Sequence, residues 1–214
     1  MLHYSLNLLP EGVLMMKSNH THTRVPGSSS NLTSLLSCVI CFIFLFGCNE
    51  PPSQRNESSK THSDPEAKLK ELGITLPDPP KPVANYVNGV QTGNLIFLAG
   101  KGPRRPNGSE MRGKLGKDLS VEQGYEAARL AAINQLAVLK AMLGDLNRVK
   151  RIVKVLGMVN SDPSFTDQPA VMNGFSDLMV EVFGERGKHA RAAVGMVVLP
   201  RDQAVEVEMI VEVE

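Results

Sequence analysis

Hydrophobic and polar residues alternate most regularly near the end of the chain. From Val205 to Val213 the odd positions are Val, Val, Met, Val and Val, and the even ones are Glu206, Glu208, Ile210 and Glu212. This period of two is that of a half-buried strand. The stretch before it, from His189, sets Val194, Met196 and Val198 on one side and Arg191, Ala193 and Gly195 on the other. Leu199-Pro200-Arg201-Asp202 reads as a tight connection between the two strands. If both bulky sets face one core, Arg191, Glu206 and Glu208 share the opposite face, with small residues leaving room around the guanidinium. A fixed, bidentate cation beside carboxylates on a rigid sheet suits a small carboxylic acid.

Upstream, the pattern changes period several times. Val83–Val90 and Leu95–Ala99 are strand-like and flank a Gln91-Thr92-Gly93-Asn94 turn, a hairpin signal. Ser120 with Gln123 forms a capping box, and Leu130, Ile133, Ala137 and Met142 continue an apolar stripe at helical spacing until Gly144. Val149–Val159 is apolar on both faces: Ile152, Leu156 and Met158 on one, Val153, Val155 and Val159 on the other. A second helix is predicted from Asp167-Gln168-Pro169 through Phe175 and Leu178 to Gly184, since proline fits a first turn. The order strand, strand, helix, strand, helix, strand, strand predicts an α+β domain, a mixed sheet with two helices on one face. The second apolar face of the middle strand then has no helix over it and calls for another subunit.

Ahead of this domain the composition shifts. Residues 1–47 end in an apolar run from Leu35 to Phe46, about a dozen residues, preceded by Lys17 and Arg24. That is too short to span a bilayer, which takes roughly 20, and has a signal-peptide layout. Leu45-Phe46-Gly47-Cys48 resembles a bacterial lipoprotein cleavage box, which makes Cys48 the candidate lipidation site. The expectation is an exported, membrane-anchored protein facing the periplasm, attached only through that lipid. The leader is long, which makes Met15 or Met16 a candidate start; the alternatives are an uncleaved signal anchor, or a mis-assigned start and a cytoplasmic protein. Residues 48–82 are rich in Pro, Ser and charge, and read as a flexible tether with a helical turn at Glu66–Leu72. The domain is expected over 83–214.

Charge and cysteine content narrow the chemistry. The three cysteines are Cys38, Cys41 and Cys48, so the domain has no disulfide, thiol nucleophile or cysteine metal site. His189 is its only histidine and has no second ligand near it in sequence, so no metal is expected. Removing residues 1–47 leaves acidic and basic residues balanced, and 5% aromatics with no tryptophan offer little stacking surface. Nucleic acid is therefore not an expected partner. Within the basic loop Lys101–Lys117, Gly108 to Lys114 has phosphate-loop spacing, but Leu115 stands where a magnesium-binding hydroxyl is required.

Ala190-Arg191-Ala192-x-Val194, Leu199-Pro200 and Val205-Glu206-Val207-Glu208 together resemble the C-terminal signature of the RidA/YjgF family of imine/enamine deaminases. Tyr86-Val87-x-Gly89-Val90, Gly93-Asn94-x-Ile96 and Ala99-Gly100 resemble its first hairpin, and the likeness covers about the last two-thirds of the chain. The resemblance implies a chorismate-mutase-like fold, a homotrimeric barrel and ligand clefts between subunits, with no cofactor. It gives Arg191 the substrate carboxylate, Glu206 the attacking water, Tyr86 the cleft wall, and Gly100 a backbone contact. Ala193 stands where deaminase members carry cysteine, so the implied branch is a divergent one. Pro163 takes the position of an asparagine many members keep. The implied function is hydrolysis of 2-imino or enamine acids. The alternative is a non-catalytic trimer binding a small carboxylate or a protein, and an endoribonuclease is the weakest of the three.

Overall fold

The computed structural model of the chain describes residues 64–79, 81–82 and 84–214. The expected leader and Cys48 lie outside these residues. Regular structure lies ahead of the boundary expected at Val83. Helix α1 (Pro65–Glu71) is capped by the Asp64 carboxylate, which accepts from the Glu66 and Ala67 amides. Leu69 is 4% exposed, and Leu72, Ile74 and Leu76 pack on the core, so this part of the expected tether belongs to the domain. Glu66 fixes it there by accepting from Lys140 Nζ (2.5 Å) and the Leu146 amide (3.1 Å).

Strands β1 (Gly89–Thr92), β2 (Leu95–Lys101), β3 (Val149–Asn160), β4 (Ala190–Met196) and β5 (Val205–Val213) form one sheet. Their order is β1-β2-β5-β3-β4, with β3 and β4 parallel and the other neighbours antiparallel. Helix α2 (Val121–Leu143) has the Ser120/Gln123 capping box and ends at Gly144 with φ 77°, a conformation favouring glycine. Helix α3 (Gln168–Phe183) starts on its proline and crosses from β3 to its parallel neighbour β4, as such a pair requires. The fold is therefore α+β with a mixed sheet, as expected, and the helical turn expected at Glu66–Leu72 is the short helix α1.

Two expectations fail, for one reason. β4 and β5 are not neighbours; β3 lies between them. The cross-strand row Leu98, Met209, Val155, Arg191 places the Arg191 position on the helix-facing side. Met158, Glu206 and Val194 form a row on the open side. Arg191 and Glu206 thus occupy opposite faces, not one. The small residues of β4 make room for α3, not for a ligand: at Gly157, beside Ala193, a Cβ would overlap Met172. The faces of β3 are also regrouped by two bulges, which bring Ile152 to the buried side with Val155 and Val159.

The helix-facing side is a closed core, with Ile96, Val155, Val205, Val207 and Val211 all at 0% exposure. On the open side Val90, Phe97 and Val194 stay 56, 44 and 40% exposed. A shallow groove of about 440 Å³ runs there between Phe97, Leu156 and Ile210, with Lys154 and Glu208 also lining it. Monomeric surfaces seldom leave such apolar area contiguous.

Candidate functional site

The site begins at an irregularity in β2. Leu98 faces Met209 and Lys101 faces Val207, so three steps on β2 match two on β5. The extra residue flips the alternation. Strict alternation would point Lys101, four residues on, to the open side with Phe97; the irregularity turns it under the helices instead, where it is 7% exposed. Helix α2 secures the irregular stretch. Gln135 Nε2 donates to the carbonyls of Ala99 (3.0 Å) and Val207 (2.6 Å). Asn134 donates to those of Gly102 and Arg104, both at 3.0 Å.

Gly100 and Gly102 lie directly beneath two polar side chains. A Cβ at Gly100 would collide with Oε1 of Glu206, and one at Gly102 with Oε1 of Gln203. Gln203 Nε2 also donates to Glu206 Oε2 at 2.9 Å, so the carboxylate is held at both oxygens, by contact and by hydrogen bond. Tyr86, Gly100, Lys101, Arg104, Arg201 and Glu206 all line a cavity of about 340 Å³. Three of the sequence-predicted residues, Tyr86, Gly100 and Glu206, therefore converge.

The cavity's charges are unevenly matched. Glu110 pairs with Arg201 at 2.8 Å and Arg112 at 3.2 Å. Arg201 and Asp202 have φ of 56° and 57°, left-handed values that side-chain-bearing residues rarely adopt. The Glu110 pair holds the first, and Asn160 Nδ2, donating to Asp202 Oδ1 at 2.8 Å, holds the second. Lys101 Nζ donates to the Gly100 (3.1 Å) and Ala99 (3.4 Å) carbonyls and has no carboxylate at ion-pair distance among the described residues. Burial pulls its pKa below the ordinary lysine value, with the nearby Glu206 charge opposing that shift.

Arg191 lies elsewhere, on β4 against α3. Its Nη1 donates to Asn173 Oδ1 (3.1 Å) and Ser176 Oγ (2.9 Å), and its Nη2 to the Pro169 carbonyl (3.3 Å). A guanidinium has five N–H groups, so Nε–H and one on Nη2 remain. Ser176 Oγ is also 3.0 Å from His189 Nε2, while His189 Nδ1 is 2.7 Å from the Gly187 carbonyl. One direction satisfies all three links: Arg191 donates to Ser176, Ser176 to His189, and His189 to Gly187. It needs a neutral imidazole, and burial lowers the His189 pKa in the same sense, with Arg191 adding to it against the Gly187 bond. Ala193 is half-buried beside Gly157 and lines no wall of the cavity.

Sequence reasoning missed Lys101, Gln203, Asn173 and Ser176. A signal existed for the last two: Asn173 and Ser176 fall three apart, a polar pair on one side of a largely apolar helix. Among the described residues, no group of three metal-ligating side chains converges.

The family profile described as "YjgF/chorismate_mutase-like, putative endoribonuclease" matches residues 66–213. The chain belongs to the YjgF family. Among its relatives in this family, protein TCP17 of Trypanosoma cruzi is 48% identical over 147 residues, 68% of this chain and 92% of that protein. A "2-iminobutanoate/2-iminopropanoate deaminase" of Dermatophagoides farinae is 31% identical over 142 residues, 66% of this chain and 95% of that one. The YjgF domain is also similar to the solved structure of an Agrobacterium tumefaciens protein of unknown function. That match has 44% identity and a TM-score of 0.66, covering 70% of this chain and 92% of the other. A Shewanella oneidensis structure described as a "putative endoribonuclease" matches with 34% identity and a TM-score of 0.68, covering 70% and 99%.

Proposed function

We propose that this YjgF-family chain hydrolyses 2-imino or enamine acids in clefts that a neighbouring copy, in a homotrimer, completes. The observation that carries the reading is the Glu206 carboxylate, seated on Gly100 and oriented by Gln203 at the wall of the cavity. Arg191, with two N–H groups to spare, stands on edge strand β4. One chain keeps the acid and the cation apart. Packing the open apolar faces of three copies together would bring the Arg191 edge of one copy to the cavity of the next.

The chemistry needs no cofactor. Arg191 of one copy holds the substrate carboxylate, which fixes the C=N carbon before Glu206 of the other. Glu206 takes a proton from water as the water oxygen bonds to that carbon and the C=N pair moves to nitrogen. That proton passes to nitrogen to give the carbinolamine; Glu206 then carries the hydroxyl proton to the amine as the C=O bond forms and the C–N bond breaks, and ammonia and a 2-oxo acid leave. The likeness to a deaminase-named relative supports this reading. A second reading, binding without turnover, is favoured by Ala193, which offers no reactive group and packs toward α3.

Ammonia release from freshly generated 2-iminopropanoate, with calorimetric titration of the matching 2-oxo acid, separates the two. A deaminase should lose turnover and keep ligand in Glu206→Gln, and lose both in Arg191→Ala. Binding without ammonia above the uncatalysed rate would leave the second reading. Lipid attachment at Cys48 is proposed separately: Cys48→Ser should release the protein from the membrane fraction, and unchanged fractionation would end that idea.

A further inference from the structure

Assigning the substrate carboxylate to Arg191 leaves the cavity's own cations without work. Glu110 is taken up by Arg112 and Arg201, and Glu206 by Gln203. Lys101 is the most telling of the lining cations, at 7% exposure with only the Ala99 and Gly100 carbonyls on its ammonium. An ammonium has three N–H donors, so one is left. The Glu206 charge is near enough to favour the ammonium but makes no ion pair with it, and a buried charge without a direct partner is retained most readily where an anion comes to meet it. Arg104 lines the same wall, makes no ion pair among the described residues, and is anchored at its own carbonyl by Asn134. Arg201 is held over the cavity in a left-handed conformation that the loop would otherwise avoid.

We propose that the cavity receives a second anionic group, so that the ligand is a 2-oxo or 2-imino acid with a further carboxylate at its far end. The inference deepens the imino-acid reading and rests on it for the role of Arg191. Lys101 and Arg104 meet the distal carboxylate from the wall, and Arg201, half-neutralised by Glu110, adds a weaker pull. A plain alkyl side chain would put methylene groups against an ammonium that has no carboxylate at ion-pair distance among the described residues. A terminal carboxylate would give that ammonium a charge-assisted hydrogen bond. The direction of the Lys101 shift fits the same picture, because an arriving anion would oppose the burial that lowers its pKa.

Calorimetry on the full chain in its assembled state tests this with 2-oxoglutarate and oxaloacetate against 2-oxobutanoate. The dicarboxylates should bind at least about tenfold more tightly than the monocarboxylate, the loss expected when one partner of a desolvated charge pair is missing. Lys101→Met keeps the apolar stem, and Arg104→Gln alters an exposed position that threatens folding less. Each should erase most of that preference and leave 2-oxobutanoate affinity within roughly twofold, a change that surface substitutions commonly produce. Equal affinity of the wild type for both classes overturns the proposal. So does an Arg104→Gln variant that weakens both classes alike, since the cavity would then hold the sole carboxylate. A chain that selects dicarboxylates but releases no ammonia from any imino acid would lose the deaminase reading and keep this one.

Discussion

The two faces of the sheet are built from similar residues to different ends. On the helix side, valines, isoleucine and methionine are sealed at or near zero exposure by α2 and α3. On the open side, Val90, Phe97 and Val194 keep about half their surface, interleaved with Glu206, Glu208 and Glu212. The first face is finished within the chain; the second is a surface still to be covered. The proposed chemistry straddles this division, with Arg191 anchored on the finished side and Glu206 on the unfinished one. Rigidity for the cation therefore comes from folding, and its meeting with the base from assembly.

The contrast can be broken most forcefully in the core. Phe175→Ala empties a fully buried position on the inner face of α3 and should cost about 3–5 kcal/mol in urea unfolding. Phe97→Ala on the open face should change single-chain stability by less than about 1 kcal/mol yet lower the assembled mass by light scattering. Equal stability losses at the two positions would mean the faces do not differ as described.

Next in size is Gly100→Ala, whose Cβ takes the place of Glu206 Oε1. Turnover should fall by about a hundredfold, as displacement of a reacting group by roughly an ångström does, with 2-oxo acid binding retained. Unaltered kinetics would show that the carboxylate can shift freely. Ser176→Ala should act more gently on the finished face. It removes one of the three bonds holding Arg191 and should weaken 2-oxo acid binding by about 1 kcal/mol.

The smallest effect is in acid. The folded-state pKa of His189 lies below its ordinary value of 6.5, so the unfolded chain takes up the proton first. Its contribution to stability is whole above that pH and is lost as the pH falls through the lower, folded value. Urea midpoints should decline over that window in the wild type and decline less in His189→Gln. Parallel curves would remove the neutral-histidine link from Ser176.

How much of this the sequence reveals depends on distance along the chain. The alternation in β5, the capping box at Ser120 and the proline at the head of α3 are local signals, and each element stands where they put it. Strand order is not local. Nothing between Met196 and Val205 announces that β3 will lie between the strands on either side. Face assignment fails at that same point. Ala193 and Gly195 read as open space around a ligand, whereas they and Gly157 mark where α3 presses close. Lys101 escaped notice as the first residue of a basic loop, although a glycine inside a strand, here Gly100, is a recognised sign of a bulge. Tyr86, Gly100 and Glu206 were legible as one group only through the family resemblance, because the contacts joining them span more than a hundred residues.

The extra residue of β2 also bears on how this wall can vary between related chains. Length matters there more than identity. A substitution at Ala99 alters one contact, but one further residue inserted beside it would move Lys101 from opposite Val207 to opposite Glu206 and exchange the two sides for every position beyond it. Lys101 would swing out to the open side and Gly100 inward, and the seat of Glu206 would be lost in one step. Insertions should therefore be tolerated in the turns at Gly93 and Asn107 and excluded from the three residues after Leu98, even where the letters themselves drift.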